Sequence, residues 1–542
     1  MAVTTHAAVQ GSDRKAQPGA RALGPSNPNS TIEVLVKLRR KKELPDLTGR
    51  PAKAMTRDEL AADYGASQKD IDAVVQAFAK FGLTKVAADA ATRTVRLSGS
   101  VAKMEAAFQV KLFDYAHPSG NYRGRVGRLH VPIELHQIVR GVFGLDNRRV
   151  ARRRRQPVSD TAPARSVASP PAAGWYIPSQ LASHYNFPPG DGGGQTVGII
   201  EFGGGYFPDD LQQFCSMAGV AMPTVNVAST DGISTSRKDG QEGEVMLDIE
   251  VVAGICPKAT IAVYFAHFTE HGWITVLDAT VQDKVNNPGA LSISWGYAED
   301  ADIWTAQAMN EVNEALKEAA VLGITVCVAA GDDGSSDAIS DGNAHVDFPS
   351  SSPYALAVGG TTITALDGSQ ADICWKEGDG LRADSGGSTG GGVSAVFARP
   401  NWQEALTIQS VNPGAMAGRC VPDLAADADW NASPYLLVVD GGAQPNGRTS
   451  AATPLIASLI TLINAARPSG QRIGYLTPVL YQPVSGGGIG AVTIGQTGCT
   501  DVVAGDNTTA HAGGYAAGPG YDAVSGWGTP NGQKLLAALP AP

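Results

Sequence analysis

From Thr31 to about Asp146 the chain alternates short apolar stretches with helical patterns. IEVLVKL is followed by the capped helical stretch SQKDIDAVVQAFAKFG, and then by TVRLSG, VAKMEAAFQ, VKLFDYA and IELHQIVRGVFG. Mixed periods of two and 3.6 over this length predict a small α+β domain with its own core. Hydrophobic periodicity then stops in NRRVARRRRQPVSDTAPARSVASPPAAG, a Pro-, Ser- and Arg-rich stretch that reads as an exposed linker open to proteolysis. Beyond Gly174 near-continuous apolar runs return: TVGIIEFGGG, ATIAVYFA, GALSISWG, GITVCVAAGDDG and YALAVGGT, with QAMNEVNEALKEAAVLG as the clearest helix. Strands apolar on both faces and separated by helices predict a mostly parallel sheet covered by helices, an α/β fold with its site at the carboxyl ends of the strands.

The division is therefore 1–30 as a flexible lead-in, 31–150 as an N-terminal domain, 151–173 as a cleavable linker and 174–542 as the main domain. Charge sharpens it. Residues 1–170 hold 29 Lys and Arg against 15 Asp and Glu, net +14, whereas 171–542 hold 13 against 37, net −24, giving the chain its −10. Two joined segments of opposite charge suggest a matched pair, and the acidic part excludes nucleic acid as a partner. No run approaches the roughly 18 apolar residues of a membrane span, so no membrane partner is expected. The opening MAVTTHAAVQGSDRKAQPGA lacks the apolar core of a signal peptide. Six cysteines without metal-ligand spacing read as structural, Cys256 and Cys327 as buried thiols.

Two segments carry candidate chemistry. QEGEVMLDIEVVAGICP predicts a helix apolar almost all round and hence buried, yet Glu244 and Asp248 lie one turn apart on one face. Burial and mutual repulsion both disfavour their charged forms, which a fold tolerates when the pair has a task or is hydrogen-bonded. The competing description is a solvated acidic stripe on a half-exposed helix. In NGRTSAATPLIASLITLINAA a turn leads into an apolar helix with Ser450 at its start and Pro454 in its first turn. Taken alone, Ser450 is an ordinary N-cap serine. Near the end Asp501 and Asp522 sit in Gly-rich turns, a composition that suits a hard cation but is commonplace in loops.

RTSAATP is similar to the G-T-S-x-x-x-P nucleophile segment of subtilisin-like proteases, with Arg448 where that pattern has glycine. None of His184, His267, His271, His345 and His511 stands in an H-G-T-H context, and EGEVMLDIEV occupies the place of the histidine helix. Together with IIEFGGGY, SISWG, AAGDDGSSD, STGGGVS and YAAGPGYD, in that order from about Ile32 to the C-terminus, the chain resembles the sedolisins, the serine-carboxyl peptidases, in their kumamolisin-like branch.

That resemblance implies a subtilisin-like catalytic domain behind a ferredoxin-like α+β prodomain that inhibits it and is removed by self-cleavage of the linker. It implies Ser450 as nucleophile, Glu244 as base, Asp248 as the carboxylate that orients Glu244, and Asp332 as oxyanion donor, with Glu201 and Trp295 behind the glutamate. It implies one Ca²⁺ held by Asp501 and Asp522 and by the carbonyls of Val502, Gly518 and Gly520, and polypeptide substrates laid along Gly390, Gly391 and Gly392. It further implies a monomer and an extracellular location. Asp347, with Asp337 and Asp341, is expected to line a subsite for basic residues, and Asp333 to be a solvated loop carboxylate.

The chemistry is coherent without the family name. A carboxylate serves as base to a serine where an imidazole would be protonated. Asp332 donates to an oxyanion only as a neutral acid, so activity should vanish as pH rises. Two other readings stand beside this one: a neutral subtilisin-type protease that uses one of the five histidines, and an inactive calcium-stabilised binding protein.

Overall fold

The computed structural model describes residues 5–118, 120–150, 152–153, 174–230, 232–233, 236–237, 240–368, 371–384, 386–468, 471–484 and 491–541. Apart from Arg152 and Arg153, the expected linker lies outside the described residues.

The prodomain is a four-stranded antiparallel sheet in the order Thr84–Asp89, Thr94–Ser100, Thr31–Leu38, Val139–Phe143. Two helices, Gln68–Ala79 and Val101–Phe108, are capped by Ser67 and Ser100, whose hydroxyls accept from the N–H groups of Asp70 and Lys103. The strand read from IEVLVKL is buried on both faces for a physical reason. Val34, Val36 and Leu38 point into the prodomain's own core, while the alternate residues Leu35 and Lys37 face the catalytic domain, Leu35 in its apolar core and Lys37 on Asp278.

Residues 5–30 correct the expectation of a flexible lead-in. His6–Ala8 pairs with His130–Pro132, and Arg21–Pro25 pairs with Phe113–Ala116. Arg14 is buried between Asp146 at 3.3 Å and Glu270 of the catalytic domain at 3.2 Å. Ladder hydrogen bonds and a buried charge with both partners in place hold a polar segment that has no hydrophobic period to announce it.

The catalytic domain is an eight-stranded sheet. Its parallel strands run Thr224–Ser229, Thr260–Phe265, Thr196–Glu201, Ala290–Ile293, Thr325–Ala329, Leu356–Thr362, and Leu424–Asp427 joins the last of these in parallel. Ile373–Cys374 adds a short antiparallel pairing. Helices Glu242–Ile255 and Thr449–Ala466 belong to one apolar core, and helices Glu270–Gln282 and Ala306–Val321 to a second. The prodomain's Leu35, Leu44, Leu60 and Phe143 complete the second core. Thr449–Ala466 qualifies the expectation about membrane spans, because by length and composition it could cross a bilayer. It is buried inside the domain, as a central helix of such a sheet must be.

Candidate active site

Three neighbouring strands deliver the site. Glu201 ends Thr196–Glu201, Ser294 and Trp295 follow Ala290–Ile293, and Asp332 follows Thr325–Ala329, all at carboxyl ends of parallel strands. Two helices packed on one another supply the rest: Glu242–Ile255 carries Glu244 and Asp248, and Thr449–Ala466 carries Ser450 in its first turn. The solvated-stripe description of the carboxylate helix is overturned, since Glu244 and Asp248 are both fully buried. Glu250, on the same helix and without a sequence signal of its own, is buried as well and accepts from the N–H of Val438 at 2.8 Å.

Ser294 ties the elements together. Its hydroxyl donates to Asp248 Oδ2 at 2.7 Å and lies 3.3 Å from the carbonyl oxygen of Ser450. Trp295 donates its indole N–H to Glu201 Oε2 at 2.9 Å. Burial, then the charge of Glu244, pushes the Glu201 carboxyl well above its ordinary range. Burial, then Glu201 and Glu244, does the same to Asp248 against the opposing hydrogen bond from Ser294. Three carboxyls gathered in one buried site oppose one another's ionisation, which favours the protonated forms of Glu201 and Asp248. Ser450 Oγ is buried and has no hydrogen-bond partner among the described residues.

Asp332 faces the start of the serine helix. Its Oδ1 accepts from the Thr449 N–H at 3.0 Å and the Thr449 hydroxyl at 2.6 Å, while Oδ2 has no hydrogen-bond partner among the described residues. Asp333 corrects the expectation of a solvated carboxylate. It is 2% exposed and accepts from the Arg382 N–H at 2.9 Å and from Arg382 Nε at 2.8 Å. The same guanidinium lies 3.7 Å from Asp332 Oδ2, so Arg382 pins the loop that carries the oxyanion candidate. Asp333→Asn leaves a buried guanidinium short of charge, and we expect a loss of about 3 to 5 kcal/mol in stability, read by chemical denaturation. Arg448 sits at φ 76°, the left-handed region where the related pattern has glycine. Its guanidinium is buried beside Trp375 and Trp430 and donates to the Gly386 carbonyl at 3.2 Å.

The glycine triplet is buried rather than held out as a free loop. Gly390 donates its N–H to the Gly331 carbonyl, and a Cβ there would lie 2.0 Å from the carbonyl oxygen of Ala330. Only glycine allows the triplet to lie this close to the Asp332 loop. Extended chain is found on Trp295–Gly296, where Arg152 and Arg153 add an antiparallel strand; the other edge of Trp295–Ala298 carries Asp347–Phe348. Asp347 and Asp337 are buried, and Asp341 accepts from His345 at 2.9 Å.

Asp501 and Asp522 meet at one turn. Gly520 donates its N–H to Asp501 Oδ2 at 2.8 Å, and Gly518 donates to Asp522 Oδ2 at 3.0 Å. Asp522 Oδ1 accepts from the N–H groups of Val524 and Ser525. No donor among the described residues reaches the carbonyls of Val502, Gly518 or Gly520. Among the described residues no group of three or more His, Cys, Asp or Glu could hold a metal, so any cation here must rely on two carboxylates and backbone oxygens. The six cysteines are free thiols, all buried except the half-buried Cys499.

Comparison with known proteins places this geometry. The family described as Pro-kumamolisin, activation domain, matches residues 18–148, and the subtilase family matches residues 218–484. Kumamolisin of Bacillus sp. (strain MN-32) is 41% identical over 98% of this chain and 96% of its own. The chain belongs to the sedolisin family of serine-carboxyl peptidases, as a precursor with its prodomain. Sedolisin of Pseudomonas sp. (strain 101) is 28% identical over 97% of this chain and 90% of its own. The solved structure of Pseudomonas sedolisin, a serine-carboxyl proteinase in complex with pseudo-iodotyrostatin, superposes with a TM-score of 0.57 at 28% identity, covering 68% of this chain and 98% of that one. The subtilisin-like fold expected from sequence is thereby confirmed.

Proposed function

We propose that this sedolisin-family peptidase is acid-active, processes itself, and cleaves unfolded polypeptides through Ser450, Glu244 and Asp248, with Asp332 as oxyanion donor. The observation that carries the reading is the dry carboxyl cluster set against a serine whose hydroxyl has no imidazole partner. His184 is bound by Asp372 and the Leu366 carbonyl, and His345 lies between Asp300 and Asp341, which weighs against the neutral-protease reading.

In the reaction, Ser450 Oγ attacks the scissile carbonyl carbon as its proton passes to Glu244. The oxyanion accepts a hydrogen bond from the protonated Asp332, beside the Oδ2 position that the protein leaves open. Collapse expels the amine, which takes the proton from Glu244 and leaves an acyl-enzyme. Water, deprotonated by Glu244, then attacks the acyl carbon, and Ser450 recovers its proton. Asp248 and Glu201, protonated in acid, keep the base oriented and limit the negative charge around it.

Substrate is proposed to add as a strand to Trp295–Gly296, the edge that Arg152 and Arg153 occupy in the precursor, with Gly390–Gly392 backing the Asp332 loop and Asp347 one strand further in. The strand formed by Arg152 and Arg153 thus takes up the edge proposed for substrate, which supports inhibition by the prodomain and self-cleavage within the linker, 151–173. Work of this kind belongs outside the cytoplasm.

The Asp501–Asp522 turn fits one Ca²⁺, held by both carboxylates and the three carbonyls without a protein donor. The ion would cross-link the turn and take no part in the chemistry. Chelation or Asp522→Asn is expected to lower the unfolding temperature, the stability lost being the calcium term of the loaded parent, about 2.7 kcal/mol at a hundredfold excess over Kd.

Acidifying the full-length chain from neutral to about pH 4, the ordinary carboxylate range, tests the whole reading. The chain should shorten near the linker and begin to hydrolyse an unfolded protein. A folded, calcium-loaded chain that stays whole and inert in acid would favour the binding-protein reading.

A further inference from the structure

At the seam between prodomain and catalytic domain, away from the carboxyl cluster, lies a cavity of about 660 Å³. Its walls carry Arg50, Lys53 and Arg57 from the prodomain and Lys284, Arg467 and Arg472 from the catalytic domain. Among the described residues the only carboxylate on those walls is Asp58, which Lys284 holds at 2.5 Å. Six cations against one anion is the reverse of the catalytic domain's overall balance of 13 Lys and Arg to 37 Asp and Glu. Like charges gathered in a concave, half-dry space repel one another unless something neutralises them.

Their hydrogen bonds leave donors over. Arg467 is 8% exposed; its Nε donates to the Gln471 carbonyl and its Nη1 to the Pro540 carbonyl, but its Nη2 is buried without a partner among the described residues. Arg57 donates Nε to the Val281 carbonyl and Nη1 to Asn287, and its Nη2 is likewise buried without a partner. Arg472 fastens to the same Asn287 side chain and to the Asn287 and Pro288 carbonyls, which brings the two guanidiniums to one amide oxygen. Burial and then the neighbouring Arg50 disfavour the charge on Arg467, and burial and then Arg57 disfavour that on Arg472. A buried guanidinium donor without an acceptor is costly, and an oxyanion is its natural complement.

We infer that this cavity is a site for a free polyvalent oxyanion of the pyrophosphate class, which cross-links the prodomain to the catalytic domain and delays activation. A linked pair of phosphates presents oxygens at once to the cations of both walls, six in all. The proposal rests on the precursor reading above, and its test separates the two.

The test uses the full-length Ser450→Ala chain, which should remain uncut, with inorganic pyrophosphate titrated calorimetrically at neutral pH and low, fixed ionic strength. One ion per chain is expected, with affinity falling about tenfold or more when Arg467 and Arg472 are replaced by Gln. Arg57→Gln, on the other wall and half-exposed, should weaken binding independently if the double variant does not fold. With the linker then opened by an added protease, pyrophosphate should also lower the pH at which the prodomain separates. Absence of binding, binding indifferent to these arginines, or binding that leaves the separation pH unmoved would each overturn the proposal. Because binding is read at neutral pH on an uncut chain, it stands or falls even if the parent never processes itself.

Discussion

Replacing Ser450 with Ala should leave the full-length chain uncut at pH 4 and reduce peptide hydrolysis by about 10⁴-fold or more, and Glu244→Gln should come close to the same loss. The two should not add, because a nucleophile and its base act as one unit. Asp248 separates the orienting role from the base. Burial, Glu201 and Glu244 hold its carboxyl above the ordinary range, so its working form is neutral and an amide imitates it. Asp248→Asn is therefore expected to keep at least about tenfold more activity than Asp248→Ala, which loses the contact with Ser294. The sign of the pH dependence follows. A carboxyl raised by folding contributes stability fully at pH below its unfolded value and loses it as pH rises through its folded value. Glu201 and Asp248 are both raised, so this site tolerates acid and deteriorates as pH rises. An activity maximum at neutral pH that survives Glu244→Gln would mean that another residue is the base.

What sequence made legible is what depends on local pattern. The carboxylate helix, the serine helix with its early proline, and the five parallel strands whose ends hold Glu201, Trp295 and Asp332 follow from periodicity and apolar run length. Residues whose setting is decided by distant chain were misjudged. Asp333 looks solvated beside Gly334 because its partner, Arg382, lies 49 positions away. Residues 5–30 look unstructured because Arg14 is satisfied by Asp146 and Glu270, far along the chain. The strand Thr224–Ser229 is not legible either, because its mostly exposed, polar alternation resembles a loop. Charge asymmetry between the two halves was legible, but not which carboxylate answers which cation.

That pairing sets the second large effect, on release of the prodomain. Among the described residues nine ion pairs cross the interface, seven with the cation on the prodomain. The buried knot joins Lys37, Arg40 and Arg93 to Asp278, Glu311, Glu314 and Glu318. Its carboxyls do not titrate alike. Burial raises Glu318, but Arg40, Arg93 and Lys37 outweigh it and hold the carboxyl below its ordinary value. A depressed carboxyl stabilises the docked form above its undocked value and loses that contribution as pH falls through the docked value. Burial pushes Asp278 up to about 6 in spite of Lys37, so the docked form takes up a proton there first, and mild acid favours docking at that position. The prodomain should accordingly stay bound at pH 6 and leave only below about pH 4.3, the ordinary range of glutamate. Glu318→Gln removes the carboxylate that Arg40 approaches at 2.6 Å and Arg93 at 3.5 Å. With two buried guanidiniums left to Glu314 and Glu311, the interface should weaken by about 3 kcal/mol or more, a factor above a hundred in dissociation. On the Ser450→Ala chain, with the linker opened by an added protease, size-exclusion chromatography across pH should then show separation beginning at pH 6 or higher. Separation of parent and Glu318→Gln at the same pH would place the acid-sensitive contact elsewhere, with Arg14 and Glu270 the next pair to examine.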